Sequence, residues 1–196
     1  RLGAALLRLA RVREATFPTA EIVQPVLNAL RDETSETAHF SLATGNCMAT
    51  MLVAESPRAN RVSLEDSEPL PFHCTASGIA WLAFAPTATV RKILSKPLQV
   101  PTRLTITDPA GLQALIDQAR QQGLAIADQT YEDDVHGIAS PVFDARTAPI
   151  GAIAVATPVS RVTRETSLQI RQAVHRAGLE ITRMLGGKPP ETFLNI

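Results

Sequence analysis

Apolar residues recur with the 3.6-residue period of an amphipathic helix in several parts of the chain. The clearest signal follows Asp108, which can cap a helix whose first turn holds Pro109 and whose left-handed end is Gly123. The same reasoning predicts helices at residues 2–9, 19–30, 76–84, 87–94, 109–122 and 170–185.

Between these helices the apolar period falls to two, which is the spacing of a half-buried strand. Ala38 and Phe40 would face one side of a sheet and His39 the other, and Gly45-Asn46 would form a hairpin turn. Strands are predicted at residues 36–42, 48–54, 61–65, 124–127, 135–143 and 150–157, the last so apolar that it should be central. Because the links are short, we expect an α+β fold, a mainly antiparallel six-stranded sheet with helices on both faces.

Composition narrows the class of protein. A chain of 196 residues that is 45% hydrophobic can bury one sizeable core, so we expect one globular domain. Its 19 basic and 19 acidic side chains cancel, which removes the overall field that would attract nucleic acid or an anionic membrane. Two cysteines are too few for a disulfide framework, so we expect a cytoplasmic location. The first residue is Arg1 rather than Met, so we also expect a fragment.

Signals for catalysis are weak. The sequence has no nucleophile elbow, phosphate-binding glycine loop, dinucleotide fingerprint or metalloprotease helix, so we predict no enzyme and no cofactor. His73 and Cys74 form the one suggestive pair, although neighbouring strand residues point to opposite faces and a buried thiol is the commoner case. The acidic residues Asp128, Glu132, Asp133 and Asp134, followed by His136, match no calcium loop. A solvated connection explains them better than a metal.

A third candidate lies where an extended segment enters a short helix at Thr75. If Thr75 caps this helix, the backbone amides of Ala76 and Ser77 lie at the positive end of the helix dipole, where a carboxylate can bind. The alternative is an ordinary capped helix whose small residues serve packing. The pattern alone leaves both interpretations open.

Several blocks of the sequence, in this order and spacing, resemble the effector-binding domain of the isocitrate lyase regulator (IclR) family of bacterial transcription regulators. The blocks are Arg1-Leu2-Gly3, residues 73–83, Thr105-Ile106-Thr107-Asp108-Pro109, Gly123-Leu124-Ala125, residues 135–142 and residues 152–158. They extend over nearly the whole chain.

The resemblance implies an organisation. In that family an N-terminal winged helix-turn-helix binds operator DNA, and a C-terminal domain similar to GAF sensory domains binds a small metabolite. Residues 1–16 would then be a linker helix from a DNA-binding domain outside this chain, residues 17–187 the effector-binding domain and residues 188–196 a frayed tail. Family members are typically dimers or dimers of dimers, so a homo-oligomer is expected.

The resemblance also implies a set of ligand-binding positions. They are Ala59, Val62, Leu70, Ala76, Ser77, Asp128 or its neighbour Ala127, Val135, Gly137, Ala154 and Ala156. Relatives often present Cys at the Gly137 position and hydroxyls at the Ala154 and Ala156 positions, so this chain would have a more apolar pocket. Thr130 and Asp134 also depart from the family pattern. For each wall residue, plain core packing is the alternative interpretation.

These observations together predict a sensing and oligomerisation domain of an IclR-type regulator. It would bind a small organic acid, with the carboxylate at the amides of Ala76 and Ser77 and an apolar body against the remaining wall. Operator DNA would be a partner only through the absent N-terminal domain, and no membrane or metal is expected. The alternatives are a free-standing GAF-like ligand-binding module or a hydrolase that depends on Cys74.

Overall fold

The computed structural model describes Gly3, Ala5, Arg8 and residues 19–65 and 69–194. The helix predicted at residues 2–9 and the linker assigned to residues 1–16 therefore lie outside the described residues, apart from those three. The strands of the sheet are β1 Thr37–Thr44, β2 Cys47–Ala54, β3 Pro69–Pro71, β4 Ala125–Asp128, β5 Val135–Phe143 and β6 Pro149–Pro158. Their order is β3-β2-β1-β6-β5-β4, and every neighbouring pair is antiparallel. The predicted α+β class and the central position of the last strand are both confirmed.

Helices cover both faces of this sheet. They are α1 Thr19–Thr34, α2 Ala76–Phe84, α3 Thr87–Leu94, α4 Pro109–Gln122, α5 Arg164–Met184 and α6 Glu191–Leu194, with a short 3-10 helix at Val159–Arg161. As predicted, the side chain of Asp108 caps α4, and Gly123 ends it with φ +63°. No helix in the described part of the chain is long and apolar enough to cross a membrane.

One face of the sheet packs against α1 and α5. Ala38 and Phe40 point to this side, as their alternation predicts, and share a core with Leu27 of α1 and Val174 of α5. Helix α5 approaches β5 closely at Gly178, where an added Cβ would lie 2.6 Å from Ser140 Oγ. Glycine is therefore required at that contact because any side chain would push the helix away from the sheet.

The other face packs against α2 and α4. Helix α2 is buried on nearly every side, and the sheet beneath it presents the small side chains of Ala139, Ala152 and Ala154. A Cβ on Gly78 would overlap the Phe72 carbonyl oxygen. The chain can therefore turn tightly into α2 and place the start of that helix directly over the sheet.

The prediction of a strand at residues 61–65 is wrong. That segment has no regular structure, and β3 lies later, at Pro69–Pro71, where it pairs with the start of β2. The Val62 carbonyl instead accepts a hydrogen bond of 2.6 Å from the Thr37 hydroxyl. A short edge strand tolerates Pro69 and Pro71 because few of its backbone N–H groups need to bond to a neighbouring strand. Since proline is rare in strands, a prediction based on propensity does not find β3.

In the tail predicted to fray after Gly187, the described residues 188–194 are ordered by packing. The amide of Lys188 donates to the Asp144 carbonyl at 3.1 Å, and helix α6 buries Phe193 to 2% exposure. The Phe193 ring contacts the rings of Phe84 and Phe143 edge to face. It also stacks on His175 at a centroid distance of 5.0 Å. One aromatic side chain therefore fixes a segment whose local sequence gives no strong helix signal.

We expect Phe193→Ala to lower the free energy of unfolding by about 3–5 kcal/mol, because it leaves a cavity among three aromatic rings. Leu194→Ala is the matched control, since Leu194 is 60% exposed. The control should change stability by less than about 0.5 kcal/mol. Urea unfolding followed by circular dichroism measures both variants, and equal effects would show that the C-terminal helix does not dock in solution.

Candidate functional site

A mainly apolar cavity of about 60 Å³ lies between the start of α2 and the sheet face beneath it. Strands β1, β4, β5 and β6 form its floor. Val62, Leu64 and Leu70 form one remaining wall, and residues 130–132 form the other. It is lined by His39, Val62, Leu64, Leu70, Thr75, Ala76, Ser77, Ala127, Thr130, Tyr131, Glu132, Val135, Gly137, Ala154 and Ala156.

The structure brings eight of the ten predicted binding residues to this cavity. They are Val62, Leu70, Ala76, Ser77, Val135, Gly137, Ala154 and Ala156. These positions come from several separate segments of the chain and share no local motif, so their convergence depends on the strand order. Their contact with a ligand remains a prediction.

Two predicted residues lie elsewhere. Ala59 is exposed on the segment between β2 and β3 and does not line the cavity. Asp128 is opposite His136 in the β4–β5 ladder, and its carboxylate lies 3.2 Å from His136 Nδ1. Because side chains alternate along a strand, Asp128 points away from the cavity and Ala127, opposite Gly137, points towards it. The position offered as the alternative to Asp128 is therefore the one at the cavity.

The acidic connection between β4 and β5 gathers no metal-ligand set. Among the described residues, no group of three or more His, Cys, Asp or Glu side chains comes together as candidate ligands. The carboxylate of Asp128 pairs instead with the imidazole of His136.

The start of α2 presents unused backbone donors at the cavity. Thr75 Oγ1 accepts from the Gly78 amide at 3.1 Å, and the Thr75 carbonyl accepts from the Ile79 amide at 3.0 Å. The amides of Ala76 and Ser77 have no acceptor within the part of the chain that the structure describes. Both residues line the cavity, so the positive end of the helix dipole faces it.

His39 is a site residue that the sequence analysis did not select. Its Nε2 lies 3.3 Å from Ser77 Oγ, and its Nδ1 is buried without a hydrogen-bond partner in the described structure. Burial lowers the pKa of His39 to about 4, so the ring is neutral at pH 7. The alternation along β1 predicts that His39 and Phe40 lie on opposite faces of the sheet. Only the tertiary structure shows that α2 covers the face on which His39 lies.

The segment that carries Val62 forms the roof of the cavity, and polar contacts outside the cavity hold this segment in place. Arg161 forms a two-bond ion pair with the buried Glu36 carboxylate, with both nitrogen–oxygen distances 2.6 Å. Its Nη1 also donates to the Asn60 carbonyl at 2.9 Å. Together with the bond from Thr37 to the Val62 carbonyl, these contacts hold the segment that carries Val62 over the cavity.

The geometry around Cys74 does not support a nucleophile. Burial raises the pKa of the Cys74 thiol to about 12, so almost no thiolate forms near neutral pH. The neighbouring His73 directs its Nε2 to the Gln99 carbonyl at 2.9 Å. This arrangement argues against the alternative of a Cys74-dependent hydrolase.

A family model described as the C-terminal domain of the bacterial transcriptional regulator IclR matches residues 16–183. The Pca regulon regulatory protein of Pseudomonas putida is 32% identical over 163 residues, which make up 81% of this chain and 55% of that relative. The chain belongs to the IclR family and corresponds to its C-terminal domain. The relatives are transcription regulators rather than enzymes, in agreement with the prediction of a non-enzymatic chain.

Two solved structures share the fold. An IclR-type regulator from Silicibacter sp. TM1040 matches with a TM-score of 0.94 and 41% identity, covering 98% of this chain and 76% of that chain. An IclR homologue from Microbacterium hydrocarbonoxydans, solved in complex with 4-hydroxybenzoate, matches with a TM-score of 0.80 and 24% identity, covering 95% of this chain and 75% of that chain. The chain spans about 55% of the length of the Pseudomonas relative. The match therefore covers only part of a whole regulator.

We expect Arg161→Ala to lower the free energy of unfolding by about 3 kcal/mol, because the Glu36 carboxylate is left buried without its partner. Arg176→Ala is the matched control, since the Arg176–Glu33 pair has the same 2.6 Å distance but is exposed. The control should cost no more than about 1 kcal/mol. Urea unfolding of the two variants compares them directly, and equal losses would contradict a structural role for the buried pair.

We expect thiol labelling of the native chain at pH 8 to modify Cys47 and leave Cys74 unmodified, because Cys74 is buried and its pKa is raised. Mass spectrometry after treatment with iodoacetamide measures the sites. Labelling in urea should modify both thiols, and Cys47→Ser should abolish native labelling. Rapid native modification of Cys74 would reopen the hydrolase alternative.

Proposed function

We propose that this chain is the effector-sensing domain of an IclR-type transcription regulator and binds a small organic acid. The observation that carries the proposal is the start of α2, where the amides of Ala76 and Ser77 lack acceptors and face an otherwise apolar cavity. Such amides bind anions through direct hydrogen bonds and the helix dipole.

Ser77 supports a carboxylate at this position over a neutral group. Its side chain is 1% exposed, and its hydroxyl lies beside the helix start, where it adds a third donor to the two amides. Two amides and a hydroxyl on consecutive residues at one helix start suit the several lone pairs of a carboxylate. A neutral amide offers one acceptor oxygen and brings its own donors, which would face those of the site.

Size and polarity restrict the remainder of the acid. A volume of about 60 Å³ accommodates about five water molecules, which favours an acid with few heavy atoms. Gly137, Ala154 and Ala156 contribute no hydroxyl or thiol to the floor, so the body of the acid would be apolar. The 4-hydroxybenzoate complex of the Microbacterium relative supports an organic acid as the ligand class, and an aromatic acid would require the roof at Val62 to move.

The same proposal includes the rest of a regulator. An N-terminal winged helix-turn-helix outside this chain would bind operator DNA, residues 1–16 would link it to the sensing domain, and a dimer or dimer of dimers would act in the cytoplasm. Membership of the IclR family supports this over a free-standing sensory module. Sequencing the gene upstream of Arg1 tests the choice, because the regulator requires a helix-turn-helix there.

We expect small acids, and not the corresponding amides, to raise the melting temperature of the 196-residue chain. The probes are acetate, propionate, butyrate and benzoate, with acetamide, propionamide, butyramide and benzamide as neutral controls. Binding at a hundred times the dissociation constant stabilises the folded state by about 2.7 kcal/mol. For a domain of this size, that corresponds to a shift of about 5–10 °C. Equal shifts with acids and amides would contradict the carboxylate site, and no shift with any acid would contradict the proposed function.

Ser77 variants locate the site. Ser77→Ala removes one donor and should weaken acid binding several-fold, whereas Ser77→Glu places a negative charge at the carboxylate position and should abolish it. Ser95→Glu, on an exposed residue that follows α3, is the control for an added charge. Circular dichroism establishes that each variant is folded, and unchanged acid affinity in Ser77→Glu would show that the carboxylate binds elsewhere.

A further inference from the structure

A carboxylate bound at the start of α2 would lack a cationic partner. No Lys or Arg lies among the described residues that line the cavity. The helix dipole supplies only about half an elementary charge. Burying an ionised carboxylate without a full countercharge is costly, so some further group has to balance it.

His39 is the one basic side chain on the cavity wall within the described ranges. It lies on β1, between β2 and β6, and its side chain faces α2. These four elements contain no Asp, Glu, Lys or Arg. The ring therefore lies in an uncharged layer, 3.3 Å from the hydroxyl beside the proposed carboxylate position.

Other titratable groups lie further round the cavity or outside it. Tyr131 and Glu132 belong to the loop that closes another wall. Among the described residues between β2 and β3, the charged side chains are exposed: Glu55, Arg58, Arg61 and Glu65. His136 and Asp128 pair on the opposite side of β5 and β4. Glu132 is therefore the competing proton acceptor that an experiment has to separate from His39.

We propose that the acid binds together with one proton, which is taken up from solvent by the imidazole of His39. The inference rests on the proposed function, since it concerns the same carboxylate. The one bond formed is the N–H bond on the ring, and the one bond broken is that between the proton and the hydronium ion or buffer acid that supplies it. The bound acid and His39 then form a pair with no net charge.

The hydrogen bonds of the site change in step with this proton. In the protonated ring both nitrogens donate, so Nε2–H donates to Ser77 Oγ. The Ser77 hydroxyl then has its own hydrogen available for the carboxylate. His39 is in this sense a positioning residue, which fixes Ser77 as a donor and supplies the countercharge through it.

The direction in which acid affinity depends on pH follows from the pKa of His39 in the free protein and in the complex with the acid. Without the acid, burial lowers the pKa of His39 to about 4, and the ring is neutral. A bound carboxylate nearby raises that pKa. Between these two values the complex holds more protons than the free protein, so affinity increases as pH falls. The largest slope for one proton is tenfold per pH unit, and affinity becomes independent of pH above the pKa of His39 in the complex.

Isothermal titration calorimetry at pH 6 measures the proton directly. Butyrate and benzoate are titrated into the 196-residue chain in buffers that differ in their heat of ionisation, and the slope of observed heat against that value gives the number of protons taken up. We expect a value between about one half and one for wild type. Nitrogen-15 spectra of the wild-type histidine rings should show His39 becoming an imidazolium as acid is added, without any need for a variant.

Two variants identify the group that takes the proton. His39→Gln keeps an N–H donor for Ser77 but cannot become charged, so it should still bind acid at pH 8 while losing proton uptake and the pH dependence. Glu132→Gln tests the competing acceptor on the cavity wall, and His136→Gln, a histidine outside the cavity, is the matched control that should retain both. Acid binding without proton uptake, or uptake lost in Glu132→Gln and kept in His39→Gln, overturns this inference and leaves the proposed function intact. Failure of all four acids, acetate and propionate as well as butyrate and benzoate, to bind overturns the two together.

Discussion

The close packing of α2 on the sheet is the contact on which the rest of the structure depends. Gly78 lets the chain turn against Phe72, and alanines at positions 139, 152 and 154 let an almost wholly apolar helix lie directly on β5 and β6. A larger residue in this layer would lift α2 and separate its first amides from the sheet. The cavity exists because the small residues continue, at Gly137 and Ala156, past the point where the helix begins.

The elements that could be predicted are those with local signals. The cap at Asp108, the stop at Gly123 and the turn at Gly45 carry their own backbone chemistry, and the structure has each of them in place. Strand β3 has no such signal, because Pro69–Pro71 becomes a strand only by pairing with β2. Docking of the C-terminal helix depends in the same way on a distant aromatic cluster around Phe193.

The residues of the candidate site also divide into those that the sequence could indicate and those that only the tertiary structure shows. Resemblance to a family supplied its wall positions, and the error at Asp128 is a shift of one residue, which on a strand reverses the side chain. His39 was missed because its neighbours in sequence say nothing about what covers its face of the sheet. A polar residue on an alternating strand normally faces solvent, and here the apolar helix α2 takes the place of solvent.

The ion pair between Arg161 and Glu36 has a mechanical consequence. Arg161 ends the short 3-10 helix that follows β6, whose residues form part of the cavity floor. Helix α5 begins three residues later on the opposite face of the sheet. The same guanidinium donates a hydrogen bond to the Asn60 carbonyl in the roof segment. The Arg161 side chain therefore joins the roof to Glu36, which lies between the end of α1 and the start of β1. A displacement of the roof would be transmitted through this ion pair to α1, in the helix layer on the far face of the sheet.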